Sequence, residues 1–332
     1  MHDESVLPIA GKTNYTMLRD VVRIISVRNR QTGQTYTPGT DYTATNGQFI
    51  IPAGSQIPMV PAAFISTPPD NYKYIAYRAD GTPIRIASDY QMHQIAVNYE
   101  GKAYGGTMTS AVGASKLMAK LAAGQKVAIT YTGDSITYGS DTTYELNVYP
   151  QQRGYAYLVA SHLASLYPTQ VYMRDRAVGG TTSWDGAANA TANLGDTPSD
   201  LVVIAFGMND ASQGVNTSEA DFENNLRTMV AAARAANPDC EILIVLSWPS
   251  NPEAVPQQWA PFSWYYTAAN NVQANTPGII IANVTSPTWG YMLSRKSFYD
   301  ITANGFNHPS DWMQQFYAQV VLAAIQGMPV PN

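Results

Sequence analysis

Four short segments hold side chains that could together perform acyl transfer. They are Gly133-Asp134-Ser135, Val178-Gly179-Gly180-Thr181-Thr182-Ser183, Gly207-Met208-Asn209-Asp210 and Asn307-His308-Pro309. A serine hydroxyl attacks a carbonyl efficiently only when a base takes its proton, and the oxyanion that forms needs fixed hydrogen-bond donors. The four segments supply a hydroxyl, an imidazole base and several such donors.

Ser135 follows an apolar run, residues 127–132, that is typical of a buried strand. In an open parallel sheet, ligands bind at the carboxyl ends of the strands, so Ser135 would lie where a nucleophile is useful. Taken alone, the turn has a second interpretation, in which Ser135 or Asp134 only caps the next helix. The other three segments favour the nucleophile.

The base is predicted from the positions of the four histidines. His2 lies in the terminal segment, His93 in a strand pattern and His162 in an amphipathic helix pattern, whereas His308 lies in a predicted loop at the carboxyl edge. Neutral imidazole is the usual proton acceptor near neutral pH. His308 is therefore the candidate base.

The oxyanion donors are predicted to be the backbone N–H groups of Ser135 and Gly180 and the side-chain amide of Asn209. A backbone donor must approach the substrate closely, which is a reason for glycine at position 180. Asp134 and Asp210 flank these positions, and we interpret both as structural residues that hold loop backbone.

The pattern of the second half predicts a doubly wound parallel sheet with helices on both faces. Strand-like runs alternate with helix-like stretches. The strand-like runs are 126–132, 171–174, 201–206, 241–247 and 279–284. The helix-like stretches are 153–166, 218–236, 262–274 and 310–326. In such a sheet the carboxyl ends of all strands meet at one edge, so the four segments can converge.

The first part of the chain predicts a smaller β-rich, sandwich-like module. Short alternating stretches are separated by turn signals such as Asn46-Gly47 and Asp80-Gly81. We predict this module at residues 1–105, a linker and short helix at 106–123, and the α/β domain at 124–332. Tyrosines in the module could line a sugar-binding face or pack against neighbouring elements: Tyr72, Tyr74, Tyr77, Tyr90 and Tyr99.

The four segments, in this order on this strand pattern, resemble the blocks of the SGNH (GDSL) hydrolase superfamily over about residues 124–326. The resemblance implies a flavodoxin-like three-layer α/β/α fold and ester hydrolysis without a metal or cofactor. It makes Ser135 the nucleophile, Gly180 and Asn209 oxyanion donors and His308 the base. No Gly-x-Ser-x-Gly elbow is present, which disfavours an α/β-hydrolase.

One position departs from the superfamily pattern. The aspartate that usually precedes the histidine by three residues is replaced by Gly305. Asp300 is the predicted substitute if the residues between it and His308 bulge outward. Asp311 is a second candidate, although it looks like the start of the last helix, and a backbone carbonyl that orients His308 is a third.

Composition limits the partners of this chain. Of the 332 residues, 45% are hydrophobic and only 13% are charged, with a net charge of -5, which argues against nucleic acid and anionic membrane. The single cysteine, Cys240, precludes an intramolecular disulfide and reads as structural. The chain is predicted to be soluble. Secretion stays open because a removed signal peptide would leave the same sequence. The sequence does not indicate the oligomeric state.

The resulting hypothesis is a serine esterase for short acyl groups, acetyl on carbohydrate in particular. The chain has 22 Tyr and 6 Trp against 8 Phe, which favours rings that stack on sugars over an apolar acyl tunnel. Trp184 and Trp312 follow two of the four segments and could border the site, or they could be core residues. The alternatives are a lipase or thioesterase for longer chains and an inactive carbohydrate-binding protein.

Overall fold

The structure is a computed structural model that describes residues 1–69, 76–103, 108–110, 112–212, 214–255 and 262–331. Its first part consists of short strands, β1 Glu4–Val6, β2 Asn14–Tyr15, β3 Val21–Asn29, β4 Thr43–Thr45, β5 Gln48–Ile50, β6 Ala76–Tyr77, β7 Pro83–Ile84, β8 Ile95–Gly101 and β9 Met108–Ser110. Two antiparallel three-stranded sheets form, in the orders β1-β8-β3 and β2-β5-β4, and β6 pairs with β7.

The two three-stranded sheets share one core, as the sandwich-like prediction requires. Val27 and Val97 from one sheet and Phe49 from the other lie in a single buried cluster. Asn46 and Gly47 join β4 to β5 with positive φ angles of 52° and 77°, the conformation that this hairpin signal predicts.

The tyrosines of this part mainly pack. Tyr90 and Tyr99 are fully buried, whereas Tyr77 is about half exposed. Tyr72 and Tyr74 lie outside the described residues. Burial excludes Tyr90 and Tyr99 from a sugar-binding face.

The second part begins with α1 Ser115–Ala122 and contains a five-stranded parallel sheet. Its elements are β10 Val127–Gly133, α2 Ser135–Tyr138, α3 Tyr155–Leu166, β11 Val171–Asp175, α4 Ser183–Ala188, α5 Ala190–Leu194, β12 Leu201–Ala205, α6 Glu219–Ala236, β13 Glu241–Leu246, α7 Phe262–Asn275, β14 Ile279–Asn283, α8 Leu293–Arg295, α9 Asp311–Gln326 and β15 Pro329–Pro331. The strand order is β11-β10-β12-β13-β14, so the order reverses between β10 and β12. That reversal creates a ligand-binding crevice at the carboxyl edge.

Alternating strand residues supply two cores, one on each face of the sheet. Val203 packs in the core covered by α1, α3 and α9, whereas its neighbours Val202 and Ile204 pack in the core covered by α5, α6 and α7. Ser218 caps α6 by accepting a hydrogen bond from Asp221 N, as its sequence predicts. The predicted three-layer α/β/α fold is confirmed, with element bounds within a few residues of the expected ones.

The two parts of the chain are joined by an apolar cluster and a buried ion pair. Leu7 and Tyr90 of the first part pack with Tyr299 of the second, and the buried Lys296 Nζ lies 2.9 Å from Glu4 Oε1. β9, within the predicted linker, pairs with β15. The division at residues 105 and 124 stays a prediction. Within the described ranges, no helix is long and apolar enough to cross a membrane.

Candidate active site

Ser135 sits on a tight turn between β10 and α2. Gly133 has no room for a side chain, because an added Cβ would lie 2.5 Å from the Ala205 carbonyl oxygen. Asp134 caps α2, its side chain accepting a 2.9 Å hydrogen bond from Ile136 N. Ser135 is thus the first residue of α2, and its N–H has no acceptor within the helix.

His308 connects Ser135 to a carboxylate that the sequence analysis did not identify. The Nε2 atom of His308 lies 2.9 Å from Ser135 Oγ, and its Nδ1 atom lies 2.5 Å from Asp141 Oδ2. With the proton on Nδ1, the imidazole donates to Asp141 and presents the Nε2 lone pair to the serine hydroxyl. All three side chains are mostly buried.

Asp141 reaches His308 because the chain turns sharply after α2. Gly139 ends the helix with a φ of 89°, and Asp141 itself adopts a φ of 60°, which is uncommon for a residue other than glycine. Burial alone would raise the pKa of Asp141, but hydrogen bonds to His308, Ser88 and Asn304 and the charge of His308 outweigh burial and lower it. The carboxylate therefore stays ionised beside the imidazole.

The prediction that Asp300 orients His308 is corrected by the structure. Asp300 Oδ1 accepts a 2.8 Å hydrogen bond from Leu7 N, and its Oδ2 lies 3.7 Å from Lys296 Nζ. The imidazole of His308 bonds Asp141 instead. Asp300 anchors the first part of the chain to the second.

Asp311, the second candidate, also lies in another network. It is the first residue of α9, as predicted, and its carboxylate accepts hydrogen bonds from Thr143 N and Thr143 Oγ1 at 3.1 and 2.6 Å. Its backbone N–H donates to Gln91 Oε1, and the Gln91 amide donates to the Asp141 carbonyl oxygen. Gln91, from the first part of the chain, thereby ties the Asp141 loop to the start of α9.

Gly305 is a glycine because the first part of the chain fills the space beside it. Its φ is 78°, and an added Cβ would lie 2.3 Å from the Arg85 carbonyl oxygen and 2.6 Å from the Tyr90 ring. No side chain fits there. A carboxylate three residues before His308 is thus sterically excluded, and the carboxylate that bonds His308 is that of Asp141, from the loop after α2.

The glycine loop that carries Gly180 passes beside Ser135, and Asn209 is bonded to the same loop. The Gly179–Gly180 backbone is close to the nucleophile, since a Cβ on Gly179 would lie 3.8 Å from Ser135 Cβ, and Gly180 has a φ of 80°. Asn209 Nδ2 donates a 2.8 Å hydrogen bond to the Thr181 carbonyl oxygen. That bond fixes the Asn209 amide next to the glycine loop and leaves its second N–H for another acceptor.

Asp134 and Asp210 act on the backbone and on hydroxyl groups, as interpreted from the sequence. Asp210 accepts hydrogen bonds from Ser183 N and Thr217 Oγ1 at about 3 Å, which holds the loop that carries Asn209. Burial is the main reason why the pKa of Asp134 is raised to about 7, while the hydrogen bond from Ile136 N and the charge of His308 oppose the rise. Neither carboxylate is hydrogen-bonded to His308 in the described structure, and their positions are those of loop anchors.

The geometry suits proton transfer from a hydroxyl to an imidazole that a carboxylate orients. Hydrogen bonds join Ser135 to His308 and add Asp141 in place of Asp300, whereas the oxyanion roles of Gly180 and Asn209 stay predictions. Asp141 lies in the loop that follows the nucleophile turn, at the carboxyl edge of the sheet. Position in a loop at this edge is the observation by which His308 was predicted, and it applies equally to Asp141.

The second part of the chain is similar to a known protein family and to several solved structures. Residues 131–316 match the model of the GDSL-like lipase/acylhydrolase family, whereas no curated protein matches the chain. Similar solved structures include a two-domain esterase (CEX) active on acetylated mannans, 21% identical with a TM-score of 0.49, where the match covers 66% of this chain and 56% of that one. This chain thus spans little more than half the length of that esterase.

Two shorter proteins are similar over nearly their whole length. Axe2, an acetylxylan esterase from Geobacillus stearothermophilus, is 18% identical with a TM-score of 0.48, and the match covers 60% of this chain and 94% of Axe2. A putative GDSL-like lipase from Parabacteroides merdae is 20% identical with a TM-score of 0.48, with 60% and 95% covered. The family match spans more than half of the chain and includes Ser135, Asp141 and His308, so the chain belongs to the GDSL-like lipase/acylhydrolase family.

Proposed function

We propose that this protein is a serine esterase in which Ser135 is the nucleophile, His308 the base and Asp141 the residue that orients the base. The observation that carries the proposal is the continuous hydrogen-bond chain from Ser135 Oγ through the imidazole to Asp141 Oδ2. Such a chain on the carboxyl edge of a parallel sheet meets the geometric requirements of a catalytic triad. Family membership supports the same reaction class.

The reaction proceeds through two half-reactions. His308 takes the hydroxyl proton of Ser135 while Ser135 Oγ attacks the ester carbonyl. The imidazolium then protonates the departing alcohol. Water next attacks the acyl-enzyme, giving its proton to His308, and the carboxylic acid leaves as Ser135 regains a proton. Each tetrahedral oxyanion accepts hydrogen bonds from the N–H groups of Ser135 and Gly180 and the amide of Asn209.

The Asn209→Ala variant is expected to lower kcat by roughly 10²-fold or more with little change in KM, because its amide bonds charge that exists only in the transition state. Steady-state kinetics on an aryl acetate measure both constants. Asn224→Ala, an exposed position on α6, is the matched control. An effect confined to KM would assign Asn209 to substrate binding instead.

We propose further that the substrate is a short acyl ester, acetyl in particular, on a carbohydrate. Trp184 in α4, just after the glycine loop, and Tyr138, three residues after the nucleophile, are 49% and 54% exposed and can stack on a sugar. Trp312 is buried in the core and is excluded from this role. The cavity beneath the nucleophile turn, beside Asp134 and Tyr155, holds only about 10 Å³, which is too small for an acyl chain.

A series of acetyl, butyryl and decanoyl esters with one leaving group tests the substrate class. We expect kcat/KM to fall as the acyl chain lengthens, since the described site supplies exposed rings rather than a buried apolar channel. Acetate release from acetylated xylan and mannan tests the carbohydrate. A preference that rises with chain length, or no acetate from any glycan, would support a lipase or thioesterase instead. Glycan binding without any hydrolysis would indicate an inactive binding protein.

A further inference from the structure

A groove of about 870 Å³ begins directly after the nucleophile helix. Thr137, Tyr138 and Gly139 line one end, and the groove continues between α3 and the edge strand β11. Asp175, at the carboxyl end of β11, also lines it. The groove therefore adjoins the same edge of the sheet as Ser135, although Ser135 itself is not part of its lining.

The groove exists because α3 lines it with small side chains and β11 lines it with every second residue. α3 contributes Ala156, Ala160 and Ala164, which are spaced four residues apart and so lie on one helix face. β11 contributes Val171 and Met173, which share one face of the strand. Small residues on the helix leave an open channel where larger ones would fill the space.

Three tyrosines, each about half exposed, line the groove: Tyr138, Tyr144 and Tyr157. The Arg153 guanidinium carbon lies 3.9 Å from the Tyr144 ring centroid and 4.5 Å from that of Tyr157. Arg153 also donates a 2.6 Å hydrogen bond to Tyr144 Oη. This cation holds two of the rings in place, so little side-chain entropy would be lost when a ligand stacks on them.

Planar polar groups accompany the rings along the groove. Asn147, Gln151, Glu145 and Asp175 are all in the lining. Gln151 Nε2 donates to Asn147 Oδ1 at 3.0 Å, and Glu145 Oε2 accepts a hydrogen bond from the backbone N–H of Asp141. Aromatic faces next to amides and carboxylates suit the alternating apolar faces and hydroxyl groups of a sugar chain.

We propose that this groove binds the backbone of a neutral glycan chain whose acyl ester is presented to Ser135. The inference rests on the proposed function for the identity of the ester, but the groove's chemistry is independent of turnover. Two carboxylates and a single guanidinium that is already stacked make the lining unsuitable for a polyanion. The hydroxyl, amide and carboxylate groups along it make it equally unsuitable for a fatty acyl chain.

Binding is best measured in a Ser135→Ala background, where a bound ester is not hydrolysed, with acetylated xylan and acetylated mannan in affinity electrophoresis. Adding Tyr144→Ala and Tyr157→Ala together should weaken binding of at least one glycan about tenfold, because two stacking faces are lost. Tyr172→Ala is the matched control, since Tyr172 is similarly exposed but alternates to the opposite face of β11. The control should leave affinity unchanged.

A second variant keeps the test decisive if the tyrosine pair is needed for folding. Ser161 is exposed on α3 and lines the groove, so Ser161→Arg should obstruct it and also weaken binding. Glycan binding that is absent, or unchanged in folded groove variants, or equally reduced by Tyr172→Ala, overturns the proposal. A wild-type chain that hydrolyses no ester but binds glycan through the groove would overturn the proposed function and leave the groove standing.

Discussion

Ser135→Ala is expected to remove nearly all ester turnover, with a loss of about 10³-fold or more in kcat, because alanine lacks the oxygen that attacks the ester carbonyl. His308→Ala should behave alike, since Ser135 Oγ and His308 Nε2 share one proton-transfer step. Steady-state kinetics on an aryl acetate measure the loss. Thermal unfolding should show that the fold is kept, as Ser135 contributes little to the core.

The control for this experiment lies five residues further along the chain. Ser140 lies just after α2, and its backbone N–H donates to the Ser135 carbonyl oxygen, a bond that alanine retains. Ser140→Ala should therefore keep nearly full turnover. A serine-directed phosphonate should label the wild-type chain at Ser135 only. A Ser135→Ala variant that retained more than about a tenth of the activity would end the hypothesis, because that loss is far below what covalent catalysis supplies.

The parallel sheet could be predicted from sequence because its central strands are short runs rich in apolar residues. β12 and β13 are buried at every position, and apart from Glu241 at the start of β13 they show the continuous apolar pattern of a strand covered on both faces. The helices between them carry one apolar stripe and recognisable caps, such as Ser218 before α6. These signals are local, so a single sequence contains them.

The orienting carboxylate could not be predicted in the same way because its position depends on distant parts of the chain. Asp141 and His308 are separated by 167 residues and meet only through the fold. An aspartate three residues before His308 is excluded because the Tyr90 ring and the Arg85 carbonyl occupy the space beside Gly305. That packing involves residues more than 200 positions away, and no local pattern at Gly305 reveals it.

The first part of the chain contributes to the site as well as to stability. Gln91 is buried and bonds both the Asp141 carbonyl oxygen and the Asp311 N–H, and Ser88 contributes to the lowered pKa of Asp141. The sequence predicts an accessory module at residues 1–105, and its composition gives no sign of these contacts. The first part of the chain thus does two things at the site. Its Arg85 and Tyr90 exclude a side chain at position 305, and its Gln91 helps to hold the loop of Asp141.

Asp141→Asn is expected to lower kcat by roughly 10³- to 10⁴-fold while preserving shape, because an amide can donate to Nδ1 and so favour the wrong imidazole tautomer. The carboxylate also stabilises the imidazolium that forms in the transition state, and asparagine removes that charge. Because its contacts hold the pKa of Asp141 below the ordinary value, its ionisation should not limit activity near neutral pH. The pH profile of kcat/KM and thermal unfolding complete the measurement.

Asp300→Asn is the contrasting variant, and it should act on stability rather than on catalysis. The substitution keeps an acceptor for Leu7 N but removes the charge near the buried Lys296 Nζ, so the free energy of unfolding should fall. The folded fraction should keep a kcat close to that of the wild type, because Asp300 does not touch His308. A large loss of kcat in folded Asp300→Asn, together with full activity in Asp141→Asn, would return the orienting role to Asp300. Equal activity in both variants would assign that role to neither carboxylate.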